Sequence, residues 1–168
     1  DLSVVAGDLE FDDAIAGMGN LHINATGSVT SNGYDINASG LNVAAANFSS
    51  GNIRTGGGNV VIDVGTGSIT TDDIDTRGVN GHNGGSIALN GRNVDVNSLL
   101  SDAGTGSALT AGNITIVAKA QQGSSSNVNV NGDISAASSD GQQIQASIIL
   151  DGLCSNCANA VSFNSASF

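Results

Sequence analysis

Alternating apolar pairs recur along this chain: Leu21/Ile23, Leu41/Val43, Val60/Ile62, Ile87/Leu89, Ile114/Ile116 and Ile148/Leu150. From the first member of one pair to the next, the steps are 20, 19, 27, 27 and 34 residues. Alternation with period two marks a strand with one buried face, and recurrence at roughly 20–50 residues marks stacked repeats. Together they predict a column of short strands. Such a column is suited to extending, presenting or attaching before it is suited to catalysis.

The composition fits a narrow core. Of 168 residues, 24 are Gly, none is Pro or Trp, one is Met, and aromatics make up 3%. Large aromatic side chains, which usually fill a thick globular core, are thus scarce. Val, Ile, Leu and Ala suffice for the space inside a coiled ribbon. Disorder would also suit the Gly and Ser content, but a disordered linker has no reason to keep Val60, Ile62 and Val64 in phase.

Four basic residues (Arg54, Arg77, Arg92 and Lys119) stand against 15 acidic ones, for a net charge of −11. That excludes a groove tracking nucleic-acid phosphates and argues against an anionic membrane surface. Spread acidic charge keeps a β-rich chain soluble. No stretch approaches the roughly 20 apolar residues of a membrane-spanning helix, so membrane insertion is not expected. A start at Asp1 rather than Met suggests a chain cut from something larger. Few Lys, many Asn and Ser, and repetition point to an extracellular protein, secreted or at the cell surface.

Residues 1–18 hold short apolar runs (Leu2 to Val5, Leu9 to Phe11, Ala14 to Ile15) that fit the ladder poorly, and 158–168 alternates weakly. End repeats of a stack are usually atypical, because something must cover the last strands. Both segments are read as caps or exchanged strands around coils spanning 19–157. Leu2, Val4, Leu9, Phe11, Val161, Phe163 and Phe168 are the candidate assembly residues.

Most rungs open with Gly-Asn or Gly-Ser: Gly19-Asn20, Gly58-Asn59, Gly85-Ser86 and Gly112-Asn113. The expectation is a glycine with positive φ at a tight corner and an Asn bonding its own backbone. A second strand follows within a rung, as at Val94/Val96 and Val128/Val130. Polar insertions at 76–85, 101–112 and 120–127 would project as loops, where a partner would bind. Helical spacing is confined to Leu41 to Phe48, and alternation explains its start better.

Gly58-Asn59-Val60-Val61-Ile62 and Gly112-Asn113-Ile114-Thr115-Ile116, with Asn131-Gly132-Asp133-Ile134 after a serine-rich corner, resemble the repeats of filamentous-haemagglutinin-like surface proteins. The resemblance covers residues 19–151. It implies a right-handed parallel β-helix and an exported, elongated structural or adhesive molecule with no cofactor. The secretion-signal domain of those adhesins carries an Asn-Pro motif, and this chain has no proline. The resemblance therefore does not extend to that domain or to its export route, and it carries over no catalytic residues.

Several clusters invite chemistry. Cys154 and Cys157 form Cys-Ser-Asn-Cys, but structural zinc normally takes four ligands and no second Cys pair exists. His22 and His82 lie too far apart in the ladder to complete such a site. A local disulfide closing the final turn is the reading favoured in an exported chain, with free thiols and metal or redox chemistry as alternatives. Asp72, Asp73 and Asp75, with Asp63 nearby, suggest calcium, which wants six to eight converging oxygens. Alternation instead turns Asp73 and Asp75 outward around an inward Ile74, as ordinary turn and surface carboxylates.

These observations predict an all-β, right-handed parallel β-solenoid (β-helix) of about six coils in a single domain, rising about 25–30 Å at the usual strand spacing. The open ends of so short a stack present unpaired backbone groups. The first functional reading is a non-enzymatic structural subunit or shaft segment that binds copies of itself end to end into a surface fibre. A second is a monomeric adhesin that binds a surface glycan or host receptor through loops 76–85, 101–112 and 120–127. A third, a polysaccharide-degrading β-helix enzyme, has only fold analogy behind it.

Overall fold

The alternating pairs form strands, and every strand pairing among the described residues is parallel. The computed structural model describes residues 1–121, 123–139, 146–152 and 160–163. In chain order the strands are β1 (Leu2–Ala6), β2 (Leu9–Glu10), β3 (Ile15–Ala25), β4 (Ser28–Thr30), β5 (Ile36–Ala44), β6 (Asn47–Ser50) and β7 (Ile53–Arg54). They continue as β8 (Val60–Asp63), β9 (Ser68–Thr71), β10 (Ile74–Asp75), β11 (Ile87–Gly91), β12 (Asn93–Val96) and β13 (Leu99–Leu100). The last are β14 (Ile114–Ala120), β15 (Asn127–Val130), β16 (Ile134–Ser135), β17 (Ala146–Gly152) and β18 (Ala160–Phe163).

Three stacked faces result. The first holds β1, the ends of β3 and β5, then β8, β11, β14 and β17. The second is a seven-stranded sheet running from β2 to β18. The third holds the starts of β3 and β5, then β7, β10, β13 and β16. Because β3 and β5 run straight through the corner between third and first faces, those two faces belong to one sheet of 11 strands.

Each face sends a column of apolar side chains inward. Leu21, Leu41, Val60, Ile87 and Ile114 stack on the first face, with Ile23, Val43, Ile62, Leu89 and Ile116 beside them. Val29, Phe48, Ile69, Val94 and Val128 line the second face, and Ile36, Ile53, Ile74, Leu99 and Ile134 the third. All are buried in one core cluster. Each such side chain contributes about 1.5–3 kcal/mol on burial, so the columns carry most of the stability.

Residues 1–18 prove to share the register. Leu2 and Val4 pair with Leu21 and Ile23, Leu9 pairs with Val29, and Ile15 pairs with Ile36. A register shift between Ile15 and Met18 hides this periodicity in the sequence. The stretch from Leu41 to Phe48 is the end of β5 and the start of β6.

The corner glycines serve a purpose other than the expected one. Gly58, Gly85 and Gly112 do not have positive φ. A Cβ on Gly58 would instead collide with the Ser39 carbonyl one rung earlier, one on Gly85 with that of Gly58, and one on Gly112 with that of Gly85. These corners stack backbone on backbone, with no room for a side chain.

Candidate functional site

Three features could meet a partner: the open first rung, the polar corners and a lobe made of loops. At the first rung, among the described residues, β1 pairs only with β3 and β2 only with β4, and no described strand pairs with the other edge of either. Leu2 is 40% exposed where its neighbour one rung on, Leu21, is 0% exposed. Val4, Leu9 and Phe11 are half-buried, and Leu9, Phe11, Ile15 and Met18 pack against the core from that end. The candidate assembly residues at the N-terminal end are thus brought together. At the other end Val161 and Phe163 lie in β18, paired with Val128 and Val130. Phe168, Cys154 and Cys157 lie outside the described residues.

At each corner a short polar side chain reaches to the next rung. Asp35 Oδ1 accepts from the Asn52 N–H and side-chain amide, both at 3.0 Å. Asn52 Oδ1 then accepts from the Asp73 N–H at 3.2 Å, and Asp73 Oδ1 from the Asn97 amide at 2.7 Å. A second ladder climbs through Asp8, Ser28, Asn47, Ser68, Asn93 and Asn127. A third uses Asp1 with Asn20, Asn59 with Ser86, and Ser86 with Asn113. The side chains of Asn20, Asn52 and Asn59, each following a glycine, bond the neighbouring rung. These bonds satisfy N–H groups where the strand ladder is interrupted.

The third face ends in hydroxyls. Thr55, Thr76 and Ser101 each follow the inward Ile53, Ile74 and Leu99 by two residues, and all three are buried. Their hydroxyls donate to the carbonyls of Gly58 (2.5 Å), Gly85 (2.5 Å) and Gly112 (2.9 Å). Each clasp joins the end of one rung to the start of the next, whatever lies between. The sequence reading missed these three residues, whose tell is an apolar-x-hydroxyl triplet ahead of a corner glycine.

Of the three predicted loops, two belong together. Loops 76–85 and 101–112 leave the same corner on successive rungs and bond to each other. Gly78, Gly81 and Gly84 N–H donate to the carbonyls of Asp102, Thr105 and Thr110 at 2.9–3.0 Å. Thr105 Oγ1 donates to Asn80 Oδ1 at 2.5 Å. The segment 120–127 joins β14 to β15 at a different corner, so it lies apart from this lobe.

Two of the three clustered carboxylates, Asp73 and Asp75, are occupied by protein donors. Arg77 straddles Asp75 with Nε at 2.9 Å from Oδ1 and an Nη at 2.6 Å from Oδ2, and the Arg77 N–H adds a bond to Oδ1 at 3.0 Å. Burial pushes the Asp75 carboxyl up, but the hydrogen bonds and charge of Arg77, with Arg54 behind them, outweigh it and hold the group below its ordinary value. Asp73 is taken by Asn97, and Asp72 is exposed. Among the described residues, no three His, Cys, Asp or Glu side chains converge as a metal would require. No family model, curated protein or solved structure matches the chain.

Proposed function

We propose that the chain is a right-handed parallel β-solenoid with a structural role: an extracellular shaft segment that extends end to end by parallel strand addition. The handedness follows from the general rule for parallel crossover connections. One observation carries the functional reading. The first rung has the register and inward side chains of an interior rung, yet among the described residues only one side of it is paired. A rung from a second copy, laid in parallel on β1 and β2, would satisfy the free edges and bury Leu2, Val4, Leu9 and Phe11. Main-chain bonds would give affinity and the side-chain columns would give register.

Negative-stain electron microscopy and sedimentation over a concentration series test this. Thin uniform filaments are expected, and they should vanish in a Val4→Asp/Leu9→Asp variant whose circular dichroism still reports β structure. Discrete particles at every concentration would overturn the reading for the isolated chain.

A second reading, an adhesin that binds a surface glycan or host receptor, draws support from the lobe. Loops 76–85 and 101–112 present one continuous hydrogen-bonded surface, which suits recognition better than separate flexible loops.

A further inference from the structure

Half of this chain's cations sit side by side. Arg54 lies at the end of β7 and Arg77 just past β10, and Asp75, which pairs in register with Arg54, stands between them. A groove of about 280 Å³ opens here, lined by Arg54, Gly56, Asp75, Arg77, Gly78 and Val79. Its open space is built in. Gly56 has a φ of 64° that side chains rarely adopt, and a Cβ there would stand 3.7 Å from Val79 Cγ1 in the groove lining. The wall is firm, because the Thr76–Gly85 clasp and the bonds to loop 101–112 fix the loop segment that carries Arg77 and Val79.

The exposed chemistry is one-sided. Asp75 is 17% exposed and receives three hydrogen bonds from Arg77. The side chains of Arg54 and Arg77 are 50% and 49% exposed. A guanidinium has five N–H donors. Asp35 takes one from Arg54 at 3.2 Å and Asp75 takes two from Arg77, so each keeps donors for a ligand. A ligand must therefore offer acceptors.

Charge narrows the choice. Each guanidinium is already balanced by its own carboxylate, and Asp73 and Asp102 add negative charge around Arg77. In a chain of net charge −11, a carboxylate or phosphate would meet an unfavourable field. Neutral hydroxyl oxygens would not. Beside the donors stands Val79, 57% exposed, an apolar patch for C–H groups. The volume lies just under the roughly 300–1,000 Å³ of a drug-sized site, so it suits a single ring.

We infer that this groove binds one neutral pyranose residue, with its hydroxyl oxygens accepting from Arg54 and Arg77 and its C–H face on Val79. The inference does not rest on end-to-end assembly, because the groove is on the side of the stack and away from the first rung.

The test is NMR titration of the isotope-labelled chain with methyl glycosides of glucose, galactose and mannose, with methyl glucuronide as the charged control. At least one neutral glycoside should shift the amides of Arg54, Gly56, Arg77, Gly78 and Val79 together. Arg54→Gln should weaken it about tenfold, the loss of one charge-assisted hydrogen bond, while the rest of the spectrum stays in place. Val79→Asn should also weaken binding and leave the Arg77 pairing intact. Silence from all three neutral glycosides, shifts scattered away from the groove, unchanged affinity in Arg54→Gln, or binding of the glucuronide alone would each overturn the inference.

Discussion

Thr76 and Gly85 hold each other by two hydrogen bonds: the Gly85 N–H donates to the Thr76 carbonyl at 2.8 Å, and Thr76 Oγ1 donates to the Gly85 carbonyl at 2.5 Å. Ser101 and Gly112 repeat the pattern one rung on, both bonds at 2.9 Å. The loop between clasped residues is thereby separated from the stacking of the core. Lengthening a flexible loop costs only about 0.6 kcal/mol per doubling, so this corner accommodates insertions that the strands do not feel.

Thr76→Val should destabilise the fold by about 1–3 kcal/mol, because a buried carbonyl loses its partner while the shape is kept. Thr76→Ser should recover most of the loss. Urea denaturation of the three proteins checks both, with an unchanged slope expected if the rest of the stack stays folded.

Gly58→Ala should cost about 1–3 kcal/mol or prevent folding, since the new Cβ meets a backbone carbonyl that cannot rotate away. Gly7→Ala should be nearly neutral: nothing lies within 4 Å of the added methyl. A thermal melt of each variant distinguishes crowding from a general intolerance of lost glycine.

Asn52→Ala removes the acceptor for the Asp73 N–H and the donor to Asp35. The expected loss is about 1 kcal/mol, the net worth of an ordinary hydrogen bond. Amide hydrogen exchange should speed up at Asp73 on this substitution more than at Ile62, which is in the first-face column in register with Val43 and Leu89.

Asp75 gives a pH dependence of defined sign. Its carboxyl is held below the ordinary value of 3.8, so the unfolded chain binds its proton more readily. The stabilisation is complete above that ordinary value and disappears as pH falls through the lower folded one. Melting temperature should therefore drop on acidification, and Asp75→Asn should flatten that part of the decline. An identical acid limb in the variant would assign the loss to other carboxylates.

The first-face columns were legible because each rung spends two alternating apolar residues on them, as at Ile87/Leu89 and Ile114/Ile116, which pair in register. The second face showed at Val94/Val96 and Val128/Val130 for the same reason. The third face was not legible. Strands such as Ile53–Arg54 and Ile74–Asp75 give only one inward apolar residue each, and one residue has no period. The first rung was obscured by the irregularity after Ile15, although the step from Leu2 to Leu21 matches that from Leu41 to Val60. The groove at Arg54 and Arg77 depends on which rungs stack, information that no local pattern contains.

Parallel stacking also determines how the molecule would respond to tension. A pull delivered through β1 would open its bonds to β3 one after another, like tape lifted from a surface, and would not strain them all together. Such peeling would advance rung by rung until it met the lobe. There the rungs of β10 and β13 are tied twice, through their strands and again through Gly78, Gly81 and Gly84 outside the core. The loops would then act as a crimp that halts unravelling midway, so the half of the column beyond them would stay intact at forces that strip the first rung.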